Sequence, residues 1–282
     1  MVDILRITDI VELHTWANDA AYSISSLKED LEAILPDDTA SEEAEAYSNQ
    51  VFEELEQRRG LLGESYPFDV DGNTIVPNHL KTNSSYLFCL GLSHLTDIPN
   101  NMRDVEFESL AKSASEIYFR GTAVRIGAPW KTGEIQSYPD LLQLVTDMIP
   151  DLGPPKRDAA PYGGDGGWDV VVVNNFPDRA FSRIIALGNC ATGRQNWHTK
   201  GNDTEPSYFW DGFTHGPERK NICFRFLAAP FHATDDQRHR KQGSSCILFD
   251  RPRLCSLVST TSDVVMNWLH AESDKALELA LI

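Results

Sequence analysis

Two apolar runs in the middle of the chain constrain the fold more than any other feature of the sequence. Residues 168–173 contain four consecutive valines, and residues 183–191 read RIIALGNCA. β-Branched residues favour strands, and an unbroken apolar run indicates a strand that is covered on both faces. The polar residues and the proline between the runs predict a turn near 176–181. We therefore expect two adjacent antiparallel strands inside a mixed sheet.

The pattern before these runs is helical. Apolar residues recur every three or four positions over 4–34 and again over 44–60, which predicts two helices. The segment 84–95 is apolar on nearly all sides and predicts a buried helix. An Asp-Gly pair within 68–76 predicts a small hairpin. We therefore predict a helical N-terminal region at 1–98.

The pattern changes after residue 98. Helical periodicity at 104–119 and 137–152 alternates with short β-prone runs, and a last helix is predicted at 262–282. Alternating helices and strands are typical of an α/β domain. The predicted fold class is thus α/β, with the helical N-terminal region followed by a mixed-sheet domain at 99–282.

The net charge of −17 restricts the partners that the chain can bind directly. Phosphate binding depends on Lys and Arg, so a uniformly acidic surface would repel nucleic acid. The acids are concentrated at 29–56, however, whereas 218–226 and 235–243 are locally basic. Solvated faces explain both stretches, and a basic groove for nucleic acid is the alternative.

The sequence predicts neither secretion nor membrane insertion. The charged, amphipathic N-terminus lacks the features of a signal peptide, and no run reaches the roughly 18 apolar residues of a membrane span. Five cysteines without a CxxC pair argue against a zinc site or a disulfide framework. We expect a cytoplasmic protein without a membrane partner.

Polar side chains mark the ends of the two predicted central strands. Asp169 directly precedes the valine run, Asp165 lies four residues earlier among glycines, and Asn189 ends the second run. Hairpin pairing would bring Asn189 close to Asp169. A carboxylate fixed at the mouth of a buried strand can hold a hard cation, Mg²⁺ or Mn²⁺. The alternative is that GGDGG is only a turn and that Asp169 caps the strand.

The stretch GGDGGWDVVV at 163–172 resembles part of the PD-(D/E)xK restriction-endonuclease-like superfamily, above all its Mrr-type, modification-dependent enzymes. The resemblance covers about 104–230 and implies a mixed-sheet restriction-endonuclease-like core. It also implies that Asp169 binds Mg²⁺ or Mn²⁺, with Asp165 as a further ligand. The family's helix acid would be Glu108 in FESL, and Asn189 would occupy the Gln/Glu position of the partner strand.

The partner strand departs from the family pattern. Asn189 is shorter and neutral, and Ala191 falls where the family has a lysine. The nearest replacement for that lysine is Lys200 in ATGRQNWHTK, with Arg194 second. The stretch GNCATGRQNWHTK also resembles the signature QCATGxNWxxK of a bacterial group of proteins.

Two functions follow from the resemblance. The first is a metal-dependent DNA endonuclease, an effector or subunit of a bacterial anti-phage defence system. The second is a catalytically degenerate nuclease-fold protein that acts as a binding or regulatory subunit of a larger complex. Both imply DNA as the nucleic acid and either a protein partner subunit or a homo-oligomer. Lys200, Arg194, Arg251 and Arg253 are the predicted nucleic-acid contacts, although Arg251 and Arg253 could instead form salt bridges at a helix start.

Overall fold

The computed structural model describes residues 2–36, 40–81, 83–128, 137–149, 153–156, 168–177, 183–193, 197, 200, 222–243 and 245–281. The chain divides into two compact units. The first combines Met1–Asp97 with Ser259–Ile282, and the second is Ile98–Val258.

The described helices are α1 Ile4–Asn18, α2 Ile24–Glu32, α3 Ala40–Leu62, α4 Ser84–His94, α5 Phe107–Phe119, α6 Tyr138–Met148, α7 Asp235–Gly243, α8 Arg251–Leu257, α9 Asp263–Ala271 and α10 Ser273–Leu277. A 3₁₀ turn at Gly63–Ser65 follows α3, and a π-helical turn at Asn101–Glu106 leads into α5. The described strands are β1 Tyr22–Ser23, β2 Phe68–Asp71, β3 Thr74–Pro77, β4 Thr122–Arg125, β5 Val170–Asn174, β6 Ile184–Cys190, β7 Ile222–Ala228 and β8 Cys246–Phe249.

The prediction of one helix over 4–34 is wrong, because the helix is interrupted between α1 and α2. Asp19 adopts the left-handed conformation, with φ 51°, and its N–H donates to the carbonyls of Thr15 and Trp16. Strand β1 then pairs with β3, which extends the predicted β2–β3 hairpin to three strands. Ser23 caps α2 by accepting a hydrogen bond from the N–H of Ser26.

The sequence predicts that the C-terminal helices lie in the domain at 99–282. They belong instead to the first unit. The reason is packing against α4. A Cβ at Gly91 would lie 2.7 Å from Leu269, and the Phe88 and Trp268 rings stack edge to face at 6.1 Å. The apolar side of α9 therefore completes the core of the N-terminal helices.

The second unit contains a mixed five-stranded sheet in the order β4-β5-β6-β7-β8. The predicted central strands are confirmed as neighbours, since β5 and β6 pair antiparallel with Val170 opposite Gly188. Strand β4 is antiparallel to β5, whereas β6, β7 and β8 run parallel to one another. The end of β4, the start of β5 and the C-terminal ends of β6, β7 and β8 thus share one edge of the sheet.

The valine run is buried because both faces of the sheet are covered. Val171, Val173, Ile185 and Leu187 pack with α6 in one apolar cluster. Helix α5 packs against β4 and β5. Within the described residues, none of the helices is long and apolar enough to cross a membrane.

Candidate active site

Asp169 is held at the start of β5 by its neighbours on both sides. Its N–H donates to the Gly188 carbonyl at 2.8 Å, and its carbonyl accepts from the N–H groups of Ile126 and Gly127 at 2.7 and 3.1 Å. These bonds tie Asp169 to β6 and to the residues that follow β4. They fix the backbone of Asp169, and thereby the place from which its side chain projects.

Asn189 lies beside Asp169, as the hairpin predicts. It stands next to Gly188 at the end of β6 and is 7% exposed. The N–H of Cys190 donates to Oδ2 of Asp169 at 2.5 Å. This contact serves the structural alternative, in which Asp169 caps the strand.

Glu108 reaches the same edge of the sheet from α5. Its carboxylate packs so closely on Gly127 that a Cβ at that glycine would clash with it. Gly127 in turn donates to the Asp169 carbonyl. Glu108 is thus linked to Asp169 through the Gly127 backbone, whereas Asn189 lies directly beside Asp169.

Arg125 is a member of this site that sequence reasoning missed. Its Nη1 donates to Glu108 Oε2 and to the Gly127 carbonyl, each at 2.8 Å. The two side chains are only 10% and 8% exposed. A charged residue at the end of a short strand was the available signal, but nothing in the sequence indicates its partner.

Asp104 is a further acid near this group. Burial raises the pKa of its carboxyl, while the charges of Arg103 and Arg125 lower it, and the net shift is upward. Asp104 lies four residues before Glu108, one helical turn away. Arg125 therefore interacts with Asp104 as well as with Glu108. The family pattern does not predict this additional acid.

The structure explains Ala191. Its side chain is 2% exposed and packs in an apolar cluster with Leu227 and Ala229. A lysine there would place its stem among apolar side chains. Lys200 is exposed, and its backbone carbonyl accepts a hydrogen bond from Lys241 Nζ at 2.6 Å. The role of Lys200 as the replacement cation stays a prediction.

The remaining predicted contacts differ in their surroundings. Arg251 is fully buried and donates through Nε to the Pro230 carbonyl, and this burial argues against a direct contact with nucleic acid. The Arg253 side chain is half exposed and donates to the Leu248 carbonyl. Asp165 and Arg194 lie outside the described residues.

The donor types at the site suit Mg²⁺ or Mn²⁺. Asp169 and Asn189 offer oxygen ligands, which such cations prefer. Glu108 is less suitable, because Arg125 already balances its charge. Among the described residues, no three side chains of His, Cys, Asp or Glu are placed to hold a metal ion. The metal site therefore stays a prediction.

Comparisons of the chain with protein-family models, with curated proteins and with solved structures found no match.

Proposed function

We propose that this chain is a metal-dependent nuclease that hydrolyses phosphodiester bonds in DNA. One observation carries the proposal: Glu108, Asp169 and Asn189 lie at the same edge of a mixed sheet. Glu108 packs on Gly127, whose N–H donates to the Asp169 carbonyl. The three edge residues come from a helix, a strand start and a strand end that are far apart in the sequence. The sequence resemblance implies catalytic roles for these same three residues.

Asp169 and Asn189 would hold the cation, with Asp165 as a further ligand. The ion, when bound, would polarise the phosphate and lower the pKa of an attacking water. Attack by that water oxygen forms a new P–O bond, and the bond to the leaving sugar oxygen breaks. The attacking water gives up one proton to solvent, and the leaving oxygen takes up one proton from solvent, so the protons balance. Lys200 would supply positive charge near the phosphate. An anti-phage defence system is the setting that the resemblance implies.

The first prediction concerns Asp169. We expect Asp169→Asn to reduce cleavage at least about 100-fold, the scale on which a single electrostatic group acts at such a site. The fold should persist, because an Asn side chain can still accept from the Cys190 N–H. The measurement is cleavage of labelled duplex and single-stranded DNA with Mg²⁺, with Mn²⁺ and with a chelator.

Asp236→Asn is the matched control, since this carboxylate is 67% exposed on α7 and pairs with Arg240. It should cleave like wild type. Lys200→Ala, assayed beside it, reports whether Lys200 replaces the missing lysine. Cleavage that survives Asp169→Asn would contradict the catalytic assignment.

A binding or regulatory subunit is the second candidate, and the Glu108–Arg125 pair favours it. The pair neutralises the helix acid internally, and Ala191 lies in the core. An oligonucleotide that binds in Ca²⁺ and stays intact in Mg²⁺ and Mn²⁺ would support this candidate over the nuclease.

A further inference from the structure

A groove of about 640 Å³ runs along β8, which is an edge strand of the five-stranded sheet in the part of the chain that the structure describes. Its lining combines cationic, acidic, amide and apolar side chains, among them Arg238, His239, Arg253, Asp235, Gln242 and Phe224. The groove is separate from the Asp169 edge. Phe224 precedes Ala228, the residue paired with Cys190 at that edge, by four residues, roughly 13 Å of strand.

Of the two described arginines in the groove, Arg253 has the more exposed side chain. Its side chain is 50% exposed, its Nη1 donates to the Leu248 carbonyl at 2.8 Å, and its Nε lies 3.8 Å from Asp250. Arg238 is more strongly neutralised, because it binds both Asp235 and the fully buried Asp250. A guanidinium fixed by a backbone contact loses little entropy when it binds a phosphate.

Exposed aromatic side chains continue from the groove. Phe224 is 40% exposed and Tyr118 is 52% exposed. Phe119 connects them, with its ring centroid 6.3 Å from that of Phe224 and 5.1 Å from that of Tyr118. Large aromatic side chains that remain exposed in a cluster indicate a surface that binds a partner.

Three classes of partner fit a groove with a cation and aromatic rings. A peptide that extends the sheet is disfavoured, because Arg253 already occupies the Leu248 carbonyl. Duplex DNA offers phosphates but keeps its bases stacked inside. An unpaired strand offers phosphates to arginine and base faces to aromatic rings at the same time.

We infer that the β8 groove binds single-stranded nucleic acid, with Arg253 on a phosphate and Phe224 and Tyr118 beneath bases. This inference rests on the proposed function, from which it takes nucleic acid as the class of ligand. It deepens that proposal by naming an unpaired strand as the form that binds. The chain's net charge of −17 opposes binding elsewhere, so the contact should depend on this groove.

The test is fluorescence anisotropy with a labelled 20-nucleotide single strand and the matching duplex, at several salt concentrations in Ca²⁺. Wild type should prefer the single strand. Phe224→Ala should weaken that binding at least about 5-fold, the low end for loss of one stacking ring. Arg253→Gln should weaken it and reduce the slope of log affinity against log salt by about 0.7, the value for one phosphate on a single strand.

Two matched controls lie outside the groove. Arg240→Gln removes an arginine that is 78% exposed on α7 and pairs with Asp236, and Phe176→Ala removes an aromatic ring that is 63% exposed. Both should bind like wild type. Equal affinity for duplex, or variants of Phe224 and Arg253 that bind normally, would overturn the inference.

A labelled glutamate-rich peptide distinguishes the other class of partner. Binding of the peptide without binding of the oligonucleotide would overturn the inference in favour of an acidic protein partner. The proposed nuclease function is tested separately. It is contradicted if wild type does not cleave DNA, or if cleavage does not depend on Asp169. Arg253-dependent binding of the single strand would stand in that case.

Discussion

Gly188 shows how little space the sheet leaves next to Asp169. A Cβ at this position would overlap the Phe226 ring. Phe226 is fully buried, and its ring packs against Phe119 and Phe249 at centroid distances of 5.9 and 5.2 Å. The glycine is therefore required by packing.

We predict that Gly188→Ala lowers the free energy of unfolding by about 1–3 kcal/mol, the usual cost of overpacking a core. Gly60→Ala in α3 is the control, because a Cβ there meets nothing within 4 Å. It should leave stability unchanged or raise it by up to about 1 kcal/mol through helix propensity. Urea unfolding measures both, and equal effects of the two changes would contradict the packing argument.

The helices of the first unit are joined by a buried ionic network around Arg58. Its guanidinium is fully buried, with Nη1 2.6 Å from Asp9 and 2.9 Å from Glu12. Burial lowers the pKa of Arg58, but the carboxylates of Glu12 and Asp9 raise it, and the net direction is upward. The network is completed by the Nε contact to Glu54, by the hydroxyls of Tyr66 and Tyr86 on Glu12, and by His94 on Asp9.

We predict that Arg58→Met lowers the free energy of unfolding by about 3–5 kcal/mol, because it leaves buried carboxylates without their cation. The neighbouring Arg59 is the control, since its side chain is 52% exposed and pairs with Glu56 on the surface. Arg59→Met should cost about 1 kcal/mol or less. Similar losses in the two variants, measured by urea unfolding, would show that the network adds little stability.

At the scale of the whole chain, the C-terminal segment completes the first unit. Trp268 is 9% exposed and packs against Phe88 and Gly91 of α4. We predict that Trp268→Ala costs about 3–5 kcal/mol. Amide hydrogen exchange should show lost protection within residues 1–97. Val264→Ala on the same helix, at a side chain that is 53% exposed, should change little. Lost protection confined to 98–258 would contradict the division of the chain.

The local pattern of the sequence determined most of the elements. The valine run predicted β5, the second apolar run predicted β6, and both are paired as expected. A segment apolar on nearly all sides predicted α4, and helical periodicity predicted α5 apart from the π-helical turn before it. These signals are reliable because a strand buried on both faces and a helix with an apolar face each impose a short-range period on the residues.

The site was only partly readable from the sequence. Asp169 and Asn189 could be placed together because one hairpin joins their strands. Arg125 is 17 residues from Glu108, and its partner follows from how α5 packs on the sheet. The core position of Ala191, the parallel strands β7 and β8 and the return of α9 to α4 also depend on tertiary packing. Each brings distant segments together, and long-range packing leaves no local period in the sequence.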